Sequence, residues 1–192
     1  MHELHPDLAR ILLTTEQIQD RVKAIARQIS ADHKDMGALD LIGILKGAFI
    51  FMADLTRQLE VPHKVDFMAV SSYGKSTTQT GAVRILMDLR EPVEGRNVVI
   101  VEDIVDTGST LSYLYNMLKS RRPASLRTCA FVQKDRQSLE VPIDYLGFKI
   151  PDVWVVGYGL DYADGYRTLP YIAELKEEVY ASSQRDTPGG ER

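Results

Sequence analysis

Apolar residues recur along this chain with two different periods, and the change from one to the other marks its architecture. Ile18, Val22, Ile25 and Ile29 fall on one face at helical spacing, and Thr14 followed three residues later by Gln17 forms a capping-box pattern ahead of them. The spacing predicts an amphipathic helix that ends within residues 32–37. From residue 39 onward the pattern changes to short apolar runs, at 39–45, 61–71, 83–86, 98–101, 126–132 and 153–156. Runs of this length read as strands, and those without polar alternation as strands buried on both faces. Helix-spaced stretches at 49–59 and 109–119 lie between them. Strands alternating with helices predict an α/β fold, a mostly parallel, twisted central sheet with helices on both faces. Residues 171–180 read as a last helix or an irregular segment. The polar stretch 182–192, with Pro188, Gly189 and Gly190, reads as a disordered tail. With no internal repeat and no linker, residues 1–181 are expected to form a single domain.

One stretch carries more chemistry than the rest, NVVIVEDIVDTGSTLSYLYNML from Asn97 to Leu118. Its apolar run stops at an acidic pair, Glu102 and Asp103. Ile104, Val105 and Asp106 then lead into the turn Thr107-Gly108-Ser109-Thr110, after which Leu111, Leu114, Tyr115 and Leu118 recur at helical spacing. The unit is strand, acidic loop, helix. Free N–H groups at a helix start and the positive end of the helix dipole favour a phosphate, small residues allow close approach, and Thr107, Ser109 and Thr110 add hydroxyl donors. Adjacent side chains on a regular strand point to opposite faces. Glu102 and Asp103 are therefore expected where the strand breaks into loop, free to accept from two neighbouring hydroxyls or to hold Mg²⁺ through water. Asp106, beside the phosphate turn, is a candidate base.

Lys46-Gly47-Ala48 follows the predicted strand 39–45. At the carboxyl end of a strand in an open α/β sheet this is a place where ligands bind, although the tripeptide alone also reads as a plain surface turn. Residues 72–81, rich in hydroxyls, form a long connection that is either functional or a simple hairpin link. Trp154, on the predicted strand 153–156, reads by itself as a core residue.

Charge and cysteine content narrow the setting. A net charge of −4 over 192 residues argues against a general nucleic-acid or anionic-membrane binder. No apolar run approaches the length of a membrane span, residues 1–10 lack the pattern of a signal peptide, and the cytoplasm is the expected location. The single cysteine, Cys129, sits in an apolar run and reads as a buried, inert thiol. His2, His5, His33 and His63 are scattered, so a bound metal is expected to be Mg²⁺ on oxygen ligands.

The string VVIVEDIVDTGSTL resembles the phosphoribosyl-pyrophosphate (PRPP) signature of the type I phosphoribosyltransferases, and its context resembles their hypoxanthine-guanine branch. The resemblance spans about residues 8–180 and four separate motifs. It implies the type I fold with a small hood formed by the terminal segments, an Mg²⁺-dependent purine salvage reaction on hypoxanthine or guanine, and a homodimer or homotetramer. By the same resemblance the 5-phosphate of PRPP lies on Asp106, Thr107, Gly108, Ser109 and Thr110, and its ribose hydroxyls near Glu102 and Asp103. Pyrophosphate falls to the loop Leu45-Lys46-Gly47, expected to contain a cis Leu45–Lys46 peptide, and to Arg167. Ser72 and Tyr73 match the family's closing loop. Lys134 matches the lysine that donates to the purine 6-oxo group, Trp154, Val155 and Asp161 the base-binding positions, Asp161 also a second metal-binding aspartate in addition to Glu102 and Asp103, and Asp106 the base. A xanthine-preferring or guanine-only enzyme is a neighbouring possibility. A PRPP-sensing regulator that binds nucleic acid is another; such a protein needs a basic face, and the acidic balance and the intact Lys134, Trp154 and Asp161 pocket count against it.

Overall fold

The computed structural model describes residues 4–72, 83–135 and 139–185. Its main sheet has six strands: β2 (Leu39–Leu45), β3 (His63–Ser72), β4 (Val83–Met87), β5 (Asn97–Val105), β6 (Ser125–Lys134) and β7 (Tyr145–Ile150), in the order β4-β3-β2-β5-β6-β7. All pairings are parallel except β3 with β4. Helices α1 (Thr15–His33) and α2 (Phe49–Thr56) cover one face, and α3 (Ser109–Ser120) the other. The Thr14 capping box is present, with both reciprocal bonds made, and Ile18, Val22, Ile25 and Ile29 are buried as their spacing predicts. Phe51 of α2 packs on Phe131 of β6 with ring centroids 4.7 Å apart, and Phe131 in turn on Tyr158 at 4.9 Å. On the opposite face Leu111, Leu114 and Leu118 of α3 close over Val98 and Ile100.

A second, three-stranded antiparallel sheet, β1-β9-β8, joins the two ends of the chain: β1 is Leu8–Leu13, β8 Val155–Val156 and β9 Ile172–Leu175. Helix α4 (Glu177–Arg185) follows. This is the hood of terminal segments. Residues 171–180 are thus a strand and the start of a helix, not one helix or an irregular run. α4 runs to Arg185, into the stretch 182–192 read as a tail, and residues 186–192 lie outside the described residues.

The strand bounds also differ in a way that matters for chemistry. β5 does not stop at its acidic pair. It continues to Val105, still paired with β6 through Ile104↔Val132 and Val105↔Gln133. β6 likewise extends to Lys134, while the predicted strand 153–156 shrinks to two residues.

Candidate active site

β2 and β5 are neighbours, yet β2 connects outward to β3 on one side and β5 to β6 on the other. The sheet therefore reverses its winding between them, and a crevice must open beyond their carboxyl ends. The register shows where. β2 and β5 last pair at Gly43↔Val101, whereas β5 stays bonded to β6 for four more residues. From Glu102 on, the edge of β5 toward β2 is released. Glu102 and Asp103 are carried on this half-free strand end, which corrects the expectation that they lie in the following loop. The cavity they border, about 280 Å³, is also lined by Leu45, Gly47, Asp106, Thr107, Gly108 and Thr110. A hollow of about 390 Å³ elsewhere, near the starts of β2 and β3, is lined by paired charges such as Arg96 Nε and Asp40, 2.7 Å apart, and has no phosphate cradle.

Burial dominates the electrostatics of the pair. Glu102 is 5% exposed, and its Oε1 has no hydrogen-bond partner among the described residues. Its pKa is raised well above the ordinary range, first by loss of water and then by the charge of Asp103. Burial likewise pushes Asp103 up to about 6, against the opposing pull of backbone hydrogen bonds and Arg167. Two crowded carboxyls with an unmet acceptor need donors or a cation from elsewhere. Hard oxygen atoms of this kind fit Mg²⁺, which keeps waters and is held by one or two carboxylates together with substrate oxygens. Among the described residues no three His, Cys, Asp or Glu side chains are gathered closely enough to hold a metal on their own, so Glu102, Asp103 and Asp161 do not form a closed site.

The residues after β5 form the predicted cradle. Gly108 is the N-cap of α3 and offers no side-chain cap, and the Ser109 amide reaches only Thr107 Oγ1, at 3.4 Å, so the helix start keeps N–H capacity for other acceptors. Thr107 and Ser109 hydroxyls lie 3.0 Å apart at its rim. Asp106 stands just before the cradle, half exposed, with Lys134 Nζ 3.7 Å from its Oδ2. Lys134, the last residue of β6, is nearly buried and also meets Asp152 Oδ1 at 3.3 Å.

Across the crevice lies the turn after β2. The Leu45–Lys46 peptide is cis, as expected. The turn is wedged from two sides. A Cβ on Gly47 would come within 1.5 Å of Asp103 Oδ2, and one on Gly159 within 2.0 Å of the Gly47 carbonyl oxygen. Only hydrogen fits at either place, so the Lys46 turn, the acidic pair and the loop after β8 pack as one unit. That loop is pinned by Tyr158, whose hydroxyl donates to Asp54 of α2 at 2.8 Å, and by Arg167, whose Nη1 donates to the Gly159 carbonyl at 2.8 Å. Arg167 Nη2 also lies 2.7 Å from Asp161 Oδ1. Asp161 Oδ2 accepts from the Asp164 amide at 2.9 Å, so both oxygens of the expected metal ligand have protein partners.

Trp154 is not a core residue. It precedes the two-residue β8, is 46% exposed, and is flanked by Tyr180 of α4 (ring centroids 5.5 Å, planes 32° apart) and the edge of Tyr162 (5.9 Å). Val155 beside it is buried. Ser72 is the last residue of β3, and Tyr73 with the rest of the closing loop lies outside the described residues.

The chain as a whole is similar to known proteins. The family model described as a phosphoribosyl transferase domain matches residues 10–163. A hypoxanthine-guanine phosphoribosyltransferase from Mycobacterium avium is 50% identical over 185 residues, covering 93% of this chain and 91% of the relative. The chain belongs to the hypoxanthine-guanine phosphoribosyltransferase family. Its relative of that name from Dictyostelium discoideum is 48% identical over 174 residues, 88% of this chain and 97% of that protein. A structure of Trypanosoma cruzi hypoxanthine phosphoribosyltransferase, a lysine-to-arginine variant complexed with the product IMP, superposes with a TM-score of 0.86 at 46% identity, over 95% of this chain and 98% of that one. In this phosphoribosyltransferase the fold adds four residues that sequence reasoning passed over: Asp152 beside Lys134, Asp164 beside Lys46 and Arg167, Gly159 against the Lys46 turn, and Tyr180 beside Trp154. Only Gly159 left a trace, as the second glycine of Gly157-Tyr158-Gly159.

Proposed function

We propose that this enzyme transfers the 5-phosphoribosyl group of PRPP to hypoxanthine or guanine, giving IMP or GMP and pyrophosphate in purine salvage. The observation that carries the assignment of roles is the buried Glu102–Asp103 pair between the α3 cradle and the Lys46 turn. That spacing suits a ribose with a phosphate at one end and a pyrophosphate at the other. The 5-phosphate sits on the amides and hydroxyls of residues 106–110, and the ribose hydroxyls donate to Glu102 and Asp103, meeting the acceptor that burial leaves unmatched. Lys46, Arg167 and the turn amides receive the pyrophosphate. Glu102, Asp103 and Asp161 would hold Mg²⁺, which would supply positive charge to the departing anion.

Trp154 stacks the purine over Val155, and Lys134 donates to its 6-oxo oxygen. A 6-amino group would meet Lys134 donor to donor, which selects against adenine. The anomeric carbon–oxygen bond to pyrophosphate breaks, N9 of the base bonds to that carbon, and the N7 proton passes to Asp106. Lys134 Nζ lies 3.7 Å from Asp106 Oδ2, beside the carboxylate that takes this proton. The described residues include no helix long and apolar enough to cross a membrane, and the reading places the enzyme in the cytoplasm. Apolar side chains exposed on β3 and β4, among them Val65 and Leu86, support assembly as a homodimer or homotetramer.

Trp154 is the only tryptophan, so its fluorescence reports on the base pocket alone. Titration with IMP and GMP should change the emission, while AMP and UMP should not at equal concentration. Equal responses to all four, or none, would remove the purine-pocket assignment.

A further inference from the structure

Lys46 and Arg167, the two cations read as the pyrophosphate site, are already joined by one atom. Asp164 Oδ1 accepts from Lys46 Nζ at 3.0 Å and from Arg167 Nη2 at 3.0 Å. No motif pointed to Asp164, and none of the roles assigned above uses it. Its position is set by backbone. Ala163 and Asp164 both take positive φ, 50° and 61°, in a turn closed by Gly165 N–H donating to the Tyr162 carbonyl at 2.9 Å. The Asp164 amide is anchored on Asp161 Oδ2. The turn thus holds a carboxylate on the open side of the crevice, at the point where the two cationic side chains converge.

We propose that Asp164 is an internal competitor of pyrophosphate, a carboxylate that neutralises and positions Lys46 and Arg167 between turnovers and re-forms its bonds to them as the product leaves. The inference rests on the phosphoribosyl-transfer reading. Both contacts come from cations, and the Asp164 carboxylate meets them as their counter-ion. An arriving pyrophosphate meets the same two donors, carries the same sign of charge and must displace it. Asp164 therefore weakens pyrophosphate binding and hastens its release, while keeping the exposed Lys46 beside the anchored Arg167 for the next PRPP. Because the pairs are exposed to solvent, the effect is modest and screened by salt.

The test compares pyrophosphate binding and product inhibition in the full-length enzyme with MgCl2, for the wild type, Asp164→Asn, Asp164→Gly and Lys46→Ala. Asn tolerates positive φ and removes the charge, and Gly suits the turn if the Asn variant folds poorly. Asp164→Asn and Asp164→Gly should lower the pyrophosphate inhibition constant about 3- to 10-fold at low ionic strength, with the gain shrinking in 0.5 M salt as screening weakens an exposed contact. Lys46→Ala should raise it. Unchanged constants in both Asp164 variants would reduce the contacts to ordinary surface pairing, and raised constants would make Asp164 a helper of pyrophosphate rather than its rival; either overturns the proposal while the Lys46→Ala contrast still stands. If Lys46→Ala does not weaken binding either, the pyrophosphate reading of the turn fails, and the proposal with it.

Discussion

In the proposed mechanism Asp106 and Trp154 carry separable parts of the reaction, proton transfer and base binding, so their substitutions should separate in kinetics. Asp106→Ala should lower kcat by about 10²- to 10⁴-fold, the usual range for a lost general base, while PRPP still binds. Unchanged turnover would remove the base assignment. Trp154→Ala loses a stacking face for one purine, about 1–3 kcal/mol, and should raise KM for hypoxanthine by about 5- to 150-fold with KM for PRPP nearly constant. A rise in KM for PRPP instead would place the indole elsewhere in the cycle. The residues of the central motif were legible because they are consecutive: an acid pair, a base and a cradle appear within nine positions, 102–110. Asp164 was not, because its meaning lies in a partner 118 residues away. Asp152 was hidden for the same reason, since an aspartate after Pro151 looks like an ordinary turn until Lys134 is beside it.

At the scale of elements, three backbone segments meet without room for a single methyl group. The Lys46 turn rests on Asp103, and the loop after β8 rests on the Lys46 turn. Gly159→Ala must move the Gly47 carbonyl, and it also places an L side chain at a φ of 101°. The account predicts a lower thermal midpoint and kcat/KM for PRPP reduced by about 10- to 100-fold, since small displacements at a reacting centre are costly. A fully active Gly159→Ala would mean that the three segments move independently. The long helices and buried strands were readable from period alone. β1, β7 and β9 were not. β1 buries little but its ends, β9 has four residues, and β7 contains Gly147 and Lys149 among its apolar positions, so none shows a clear run or alternation. The extra length of β5 was also invisible, because it depends on pairing with β6 after β2 has departed, a tertiary fact that local polarity contradicts.

For the whole molecule, the crevice makes stability and ligand binding depend on the same buried acids. Glu102 is raised by burial and by its neighbour, and Asp103 is pushed up to about 6. A carboxyl whose folded pKa lies above its unfolded value binds protons more tightly when folded, so its contribution is present at low pH and lost as pH rises through the folded value. The pair's share of stability should therefore decline from about pH 4 through about pH 6 in the ligand-free enzyme. Asp103→Asn should weaken that decline, measured as the thermal midpoint against pH, and PRPP with Mg²⁺ should oppose it; a variant with the same profile as the wild type would place the titration elsewhere. The central claim is that the whole arrangement serves one reaction on 6-oxopurines. Its most direct test is product formation from PRPP and Mg²⁺ with hypoxanthine, guanine, xanthine, adenine and uracil in parallel, with and without chelator. Turnover of hypoxanthine and guanine, abolished by chelator and absent with adenine and uracil, is the predicted result. Binding of PRPP with no turnover of any base would contradict it and make the site a sensor.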